Sequence, residues 1–260
     1  MSPWLLSLAL VPAALFAAEP FEGTWKLDLG KVELPTKVIK IEVNNGMYSC
    51  STCVPAIKVR ADGTDQKVTG WNTYDAMNVK VIDAQTIEIT RKKAGKTVEV
   101  AKFTVSADGA HRTVKTTEYP ENSPKPVTGE RTSVRVEKGP AGAHAISGGW
   151  RDEKVGAISD NGLTFTYKAA PDGLSYTDPT GETYAGKFDG KDYPVRGDGS
   201  GSDMVSMKKI DANTLEETFK KNGKVIYVNH TTIAADGKSG SVRSDDELHH
   251  TTTKFAIVKQ

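Results

Sequence analysis

The chain has 260 residues, of which 26% are charged and 7% aromatic, and a formal net charge of +1. That length suits one large domain or two of ordinary size. The near balance of acids and bases excludes a global attraction to nucleic acid or to an anionic membrane surface.

The first element in the chain is an apolar run from Trp4 to Ala18, ended by Glu19-Pro20. It is too short for a membrane span and is placed as a secretory h-region would be. Residues 1–18 are therefore read as a signal peptide. A buried N-terminal helix is the alternative, because no Lys or Arg precedes the run. No second long apolar run follows, so the mature chain is expected to be secreted or periplasmic without a transmembrane segment.

After residue 18 the pattern is that of strands. Ile39, Ile41 and Val43 alternate with Lys40 and Glu42, Ile87 and Ile89 with Glu88 and Thr90, and Leu163, Phe165 and Tyr167 with Thr164 and Thr166. A period of two gives one wet face and one buried face. Asp-Gly and Asn-Gly pairs, at Asn45, Asp62, Asp108, Asn161, Asp172, Asp189, Asp198, Asn222 and Asp236, punctuate these runs as tight hairpins require.

The unit occurs twice. Val79 to Thr116 aligns without gaps with Met207 to Ser244, at a constant offset of 128 residues. Lys92-Lys93-x-Gly95-Lys96 matches Lys220-Lys221-x-Gly223-Lys224, and Ala107-Asp108-Gly109 matches Ala235-Asp236-Gly237. Each copy opens on Gly-x-Trp, at Gly23/Trp25 and Gly148/Trp150. A period of this size means a duplicated domain. The copies are placed at residues 19–139 and 140–260, with Lys138-Gly-Pro-Ala-Gly142 as the linker. The expected fold is all-β: two tandem antiparallel up-and-down β-barrels of about eight strands each, because closure removes exposed sheet edges. Two β-sandwiches are the alternative.

Gly23-Thr24-Trp25, ahead of hairpin-linked strands, resembles the lipocalin-like part of the calycin superfamily. The phrasing Phe21-x-Gly-Thr-Trp-Lys-Leu-Asp28 is also similar to that of exported bacterial proteins with lipocalin-like domains. The resemblance implies that each Gly-x-Trp tryptophan closes a barrel floor under a basic residue from the last strand. Arg131 or Arg135 would cover Trp25, and Lys254 or Lys259 would cover Trp150, giving a floor set of Trp25, Arg135, Trp150 and Lys254. A cation over an indole contributes ~0.5–2 kcal/mol. The Thr-Asp-Tyr loop and the terminal helix of lipocalins are not recognisable here, so no ligand class is carried over.

Several constellations invite a chemical reading. Cys50 and Cys53, the only cysteines, are read as a local disulfide, with redox and metal roles as alternatives. His249 and His250 follow Asp245-Asp246-Glu247, but neighbours on a strand point to opposite faces, so solvated charge is the plainer reading. Asp198 to Asp203 fails the calcium-loop pattern and is read as an interstrand loop. No metal or cofactor is expected. Trp71, Asn72, Tyr74 and Asp75 form an aromatic and amide stretch that breaks the repeat; it suits ligand contact at a barrel rim, or else plugs the barrel or fills the interface between copies. Phe165 and Tyr167 are candidate cavity residues. The leading functional expectation is a small apolar or amphipathic ligand held in a barrel. A structural or envelope interaction module is the second reading. A hydrolase or isomerase with a His or carboxylate at a barrel mouth, such as His111 or His230, is the third.

Overall fold

The computed structural model describes residues 19–197 and 199–260; the expected signal peptide lies outside them. The described chain is all-β, with one 3-10 turn at Asp160–Gly162 and no α-helix. The first copy supplies β1 (Gly23–Glu33), β2 (Ile39–Asn44), β3 (Met47–Cys50), β4 (Ile57–Arg60), β5 (Asp62–Lys67), β6 (Ala76–Val81), β7 (Thr86–Lys93), β8 (Lys96–Val105), β9 (His111–Glu118) and β10 (Val127–Lys138). The second supplies β11 (Gly148–Ile158), β12 (Thr164–Ala170), β13 (Gly173–Thr177), β14 (Thr183–Lys187), β15 (Asp192–Arg196), β16 (Met204–Lys209), β17 (Thr214–Lys221), β18 (Lys224–Ile233), β19 (Ser239–Asp246) and β20 (Thr251–Lys259). Each sheet is antiparallel and has ten strands rather than about eight. The short strands flanking the hairpins at Asn45 and Asp172 account for the difference, since runs of four or five residues carry too little alternation to be counted from sequence.

The two sheets exchange their opening strands. β1 lies between β12 and β20, and β12 to β20 continue in order to close a barrel. In return, β11 lies between β10 and β2 in the other sheet. The sheets therefore do not follow a division of the chain at residue 140. The Lys138–Gly142 segment begins a hairpin loop inside one sheet, where Lys138 faces Gly148. The chain passes between sheets at residues 34–38 and 159–163 instead.

The exchange also reassigns the tryptophan partners. Trp25 and Trp150 are fully buried, and each indole N–H donates four residues back, to the carbonyls of Phe21 and Ile146. Arg135 lies over Trp150, 4.1 Å from the ring centre, and Lys259 lies 5.3 Å from that of Trp25. The expected pairing of Arg135 with Trp25 is thus reversed, because the last strand of each copy lies beside the exchanged first strand. Lys254 covers neither ring and pairs with Glu33 at 2.8 Å. The glycine of Gly-x-Trp has a steric reason. Both Gly23 and Gly148 have φ of +133°, and a Cβ would meet Lys259 Cε or the Glu137 carbonyl oxygen at 2.3 Å.

The sheets differ at one seam. β14 and β15 pair through Thr183↔Arg196 and Tyr184↔Val195, which closes the second barrel. Their counterparts β4 and β5 are the two edges of the first sheet. Only Ala61 separates them, too little chain for a hairpin. Beside this seam the loop bearing the Cys50–Cys53 disulfide packs its Pro55 ring against Gly70.

The exchange predicts which fragments fold. Residues 34–163 hold a complete ten-stranded sheet, whereas 19–139 lack β11 and leave β1 unpaired. The 34–163 fragment is expected to unfold cooperatively in urea with Trp150 fluorescence as reporter, and 19–139 to show no cooperative transition. A cooperative transition in 19–139 would contradict the exchange.

Candidate functional site

The interiors of the two barrels diverge although their outer faces repeat. The registers align Trp25 beside Phe165 with Trp150 beside Ile39. Continuing across the strands, Tyr167, Tyr176 and Tyr184 of the second barrel occupy the places of Ile41, Cys50 and Ile57 in the first. Glu217, Asn229 and Thr231 occupy those of Ile89, Ala101 and Phe103. The first interior is thus packed by aliphatic side chains, Tyr48, Met77, Phe103 and a disulfide half, with the Arg91–Glu99 ion pair at the positions that Phe219 and Tyr227 take in the second. Arg112 fills it further: its buried guanidinium lies over Trp150 and Phe103 and donates to Ser133 Oγ at 3.0 Å, and burial lowers its pKa to about 10.

The second interior holds a cavity of about 390 Å³. Phe165 and Tyr167 from β12, Tyr176 from β13, Tyr184 from β14, and Glu217 and Phe219 from β17 form much of its wall. Leu27 of the exchanged β1 completes it, so the cavity depends on both copies. The rings order one another: Tyr176 stacks on Tyr184 with centroids 4.6 Å apart, and Tyr184 meets Phe219 edge-on at 5.6 Å. Such contacts add ~0.5–1.5 kcal/mol beyond burial and hold the wall rigid.

Glu217 is the one charged side chain on the inward face of β17, between Leu215 and Phe219. It is 1% exposed. Tyr167 donates to its Oε2 at 2.7 Å and Tyr184 to its Oε1 at 2.6 Å. Burial pushes its carboxyl up to about 7, against the two phenol hydrogen bonds, which favour the ionised form; nearby Glu182 adds to the rise. The phenols of Tyr167, Tyr176 and Tyr184 are held well above their usual range, first by burial and then by neighbouring carboxylates. Glu182 also lines the cavity and accepts the Ser200 amide at 2.6 Å. Gly199 and Ser200 bring the Gly-rich interstrand loop into the cavity wall. Among the described residues lining the cavity there is no lysine, arginine or histidine.

The other sequence candidates lie elsewhere. Trp71 packs on the first core and stacks with Tyr74, centroids 5.0 Å apart; Tyr74 is buried, with the Arg91 guanidinium 5.2 Å from its ring centre. Tyr74 borders a separate cavity of about 210 Å³ with Arg91, Glu99 and Glu118, where Arg91 and Glu99 form an ion pair and burial raises the Glu118 carboxyl. Gly199 touches this cavity too, so the loop bearing it meets both interiors. Asn72 lies in a third cleft, beside Lys93 and Gly201. Asp75 does have a counterpart in the repeat. It accepts the Ala94 amide in the β7–β8 turn, as Asp203 accepts that of Asn222 in the β17–β18 turn. Cys50 and Cys53 are joined. His230 pairs with Glu216 at 3.2 Å on the outward parity of β17, and His111 approaches Glu153 at the surface. Neither histidine lines the second cavity. His249 pairs with Asp246 at 2.7 Å in the turn before β20.

The residue that sequence reasoning missed is Glu217. Its signal was present: a carboxylate on the inward parity of an alternating strand, at the one step of that strand where the repeat changes Ile89 to Glu.

Glu217 makes stability depend on pH in a defined sense. Its folded pKa lies above the unfolded value of about 4.5, so the folded state binds the proton more tightly. The stability this contributes is full below pH ~4.5 and is lost as pH rises toward 7, by on the order of 3 kcal/mol. Urea midpoints at pH 4.5, 6 and 8 should fall for the wild type relative to Glu217→Gln. Parallel pH curves for the two proteins would remove the buried acid as the cause. No family model, curated protein or solved structure matches this chain.

Proposed function

We propose that the chain is an exported, lipocalin-like binding protein whose second barrel holds a small amphipathic ligand. The observation that carries this reading is the contrast between interiors. One scaffold appears twice; in one copy the inward positions are largely packed and leave a cavity of about 210 Å³ beside the Arg91–Glu99 ion pair, in the other the same positions form an aromatic cavity of about 390 Å³ around a buried carboxyl. That is the makeup of a small-molecule site: apolar walls that bury the ligand and a few polar groups that orient it. The lipocalin-like assignment is supported by two Gly-x-Trp strands with buried indoles under basic side chains. Export is supported by the apolar N-terminal run and the disulfide. The filled first barrel suits a structural role within the same molecule.

The neutral fluorophore N-phenyl-1-naphthylamine tests the reading. Its emission is expected to rise saturably with the wild type. Thr231→Phe copies Phe103 of the filled barrel into the cavity and is expected to weaken binding at least ~10-fold, at a cost in stability of ~1–3 kcal/mol from overpacking. Absence of saturable binding by the wild type, or equal binding by Thr231→Phe, would count against a ligand in this barrel.

A further inference from the structure

We propose that the ligand of the second barrel is a small organic cation, an ammonium or amidinium on an apolar body, with its charge docked on Glu217. This rests on the binding reading above and names the ligand's chemistry.

The first argument is the presence of Glu217 at all. Burying a carboxylate is costly unless it is paired. The first barrel shows that an isoleucine, Ile89, serves the same scaffold position. The carboxyl is therefore not required to build the barrel.

The second argument is hydrogen-bond capacity. An ionised carboxylate has about four acceptor sites. Tyr167 and Tyr184 occupy one on each oxygen, which leaves one on each. Asn229, directly opposite Glu217 across the β17–β18 ladder, also lines the cavity, and its Oδ1 is buried with no hydrogen-bond partner among the described residues. The cavity thus presents unfilled acceptors on neighbouring strands. An ammonium brings three donors and no acceptor, and an amidinium a planar fork of donors. Either satisfies both strands at once.

The third argument is electrostatic. Two carboxyl-bearing residues, Glu182 and Glu217, line the cavity, and none of its described lining residues is basic. An anionic ligand would meet like charge in a low-dielectric interior. A cation meets Glu217 and also the faces of Tyr176, Tyr184 and Phe219, where the ring quadrupole attracts it. The same rings supply the apolar wall for the ligand body.

The titration behaviour agrees with this geometry. With a carboxyl near pH 7, an entering cation displaces a proton from Glu217. The other titratable groups lining the cavity are Glu182 and the phenols of Tyr167, Tyr176, Tyr184 and Tyr227, and burial keeps those phenols in the neutral form.

Three probes of one shape separate the possibilities: 1-naphthylmethylamine as cation, 1-naphthalenemethanol as neutral and 1-naphthaleneacetate as anion, titrated at pH 7.5 by their own fluorescence. The amine is expected to bind the wild type at least ~10-fold tighter than the alcohol, the scale of a hydrogen bond to a charged group, and the acetate to bind weakest. Glu217→Gln is expected to collapse the amine-over-alcohol preference to about unity, with near-UV dichroism reporting that the aromatic wall is intact. Calorimetry in two buffers of different ionisation enthalpy should detect proton release with the amine alone. Alcohol or acetate binding as tightly as the amine would overturn the cation assignment and leave the binding barrel standing. A preference for the amine that survives Glu217→Gln would overturn the role of Glu217. Should that variant fail to fold, the order of the three probes on the wild type still decides. No saturable binding of any probe would overturn both the cation assignment and the binding reading.

Discussion

Each tryptophan of the repeated Gly-x-Trp strand is buried in the sheet of the other copy, and a basic side chain from that sheet's last strand covers it. The geometry leaves little room. At Gly148 a Cβ would stand 2.3 Å from the Glu137 carbonyl oxygen of the covering strand, at Gly23 the same distance from the covering Lys259 side chain, and the φ of +133° at both positions favours glycine. The indole N–H is satisfied within its own strand's approach, by Phe21 or Ile146, so it moves with β1 or β11 as a unit. The cation, in contrast, belongs to β20 or β10. Each covered indole is therefore a contact between one copy's entry and the other copy's exit. The rest of the architecture follows from this, including the crossings at 34–38 and 159–163 and the dependence of the cavity on Leu27.

Duplication explains how the two interiors came to differ. Outward positions such as Glu88 and Glu216, and the turns closed by Asp75 and Asp203, serve both copies alike. Inward positions answer only to the space around them. In the first barrel, where a seam between β4 and β5 stays unpaired, the interior is largely packed by aliphatic groups, Tyr48, Phe103 and the Arg112 guanidinium, with a smaller cavity beside the Arg91–Glu99 pair. In the second, ladder closure is complete, and the wall stands without a filled centre because stacked rings brace it. A closed hydrogen-bonded barrel tolerates a hollow interior better than an open sheet, whose stability depends on packing across the gap.

The repeat, the period of two and the Asp-Gly and Asn-Gly turns made the all-β fold and its duplication legible from sequence. The strand exchange was not, because β1 and β11 carry the same Gly-x-Trp and fit either sheet equally well by pattern. The site was half legible. Phe165 and Tyr167 stood out as aromatic residues on an alternating strand and do line the cavity. Trp71 and Tyr74 stood out for the same reason but bury themselves against the first core and its edge. Aromatic content marks both a packed plug and a ligand wall, so it cannot separate them. Glu217 could have done so, since an inward carboxylate with no basic partner on its barrel's inward face has no packing explanation, unlike Glu99, which Arg91 pairs.

The cavity wall is also tied to the first sheet. Phe165 pairs directly with Trp25 across the β1–β12 ladder, and Leu27, one inward step along β1, touches the cavity. A ligand against these residues bears on the strand that carries Trp25 and, through residues 34–38, leads into β2 of the first sheet. At the other end of the wall, Gly199 borders both the large cavity and the smaller one beside Tyr74 and Arg91. The first sheet therefore meets the cavity wall at the Gly199 loop, and it is joined in sequence to that wall through β1. Independent tandem domains joined by a single linker have no such contacts by construction. Here the exchanged strand makes the filled barrel part of the frame that keeps the hollow one in shape.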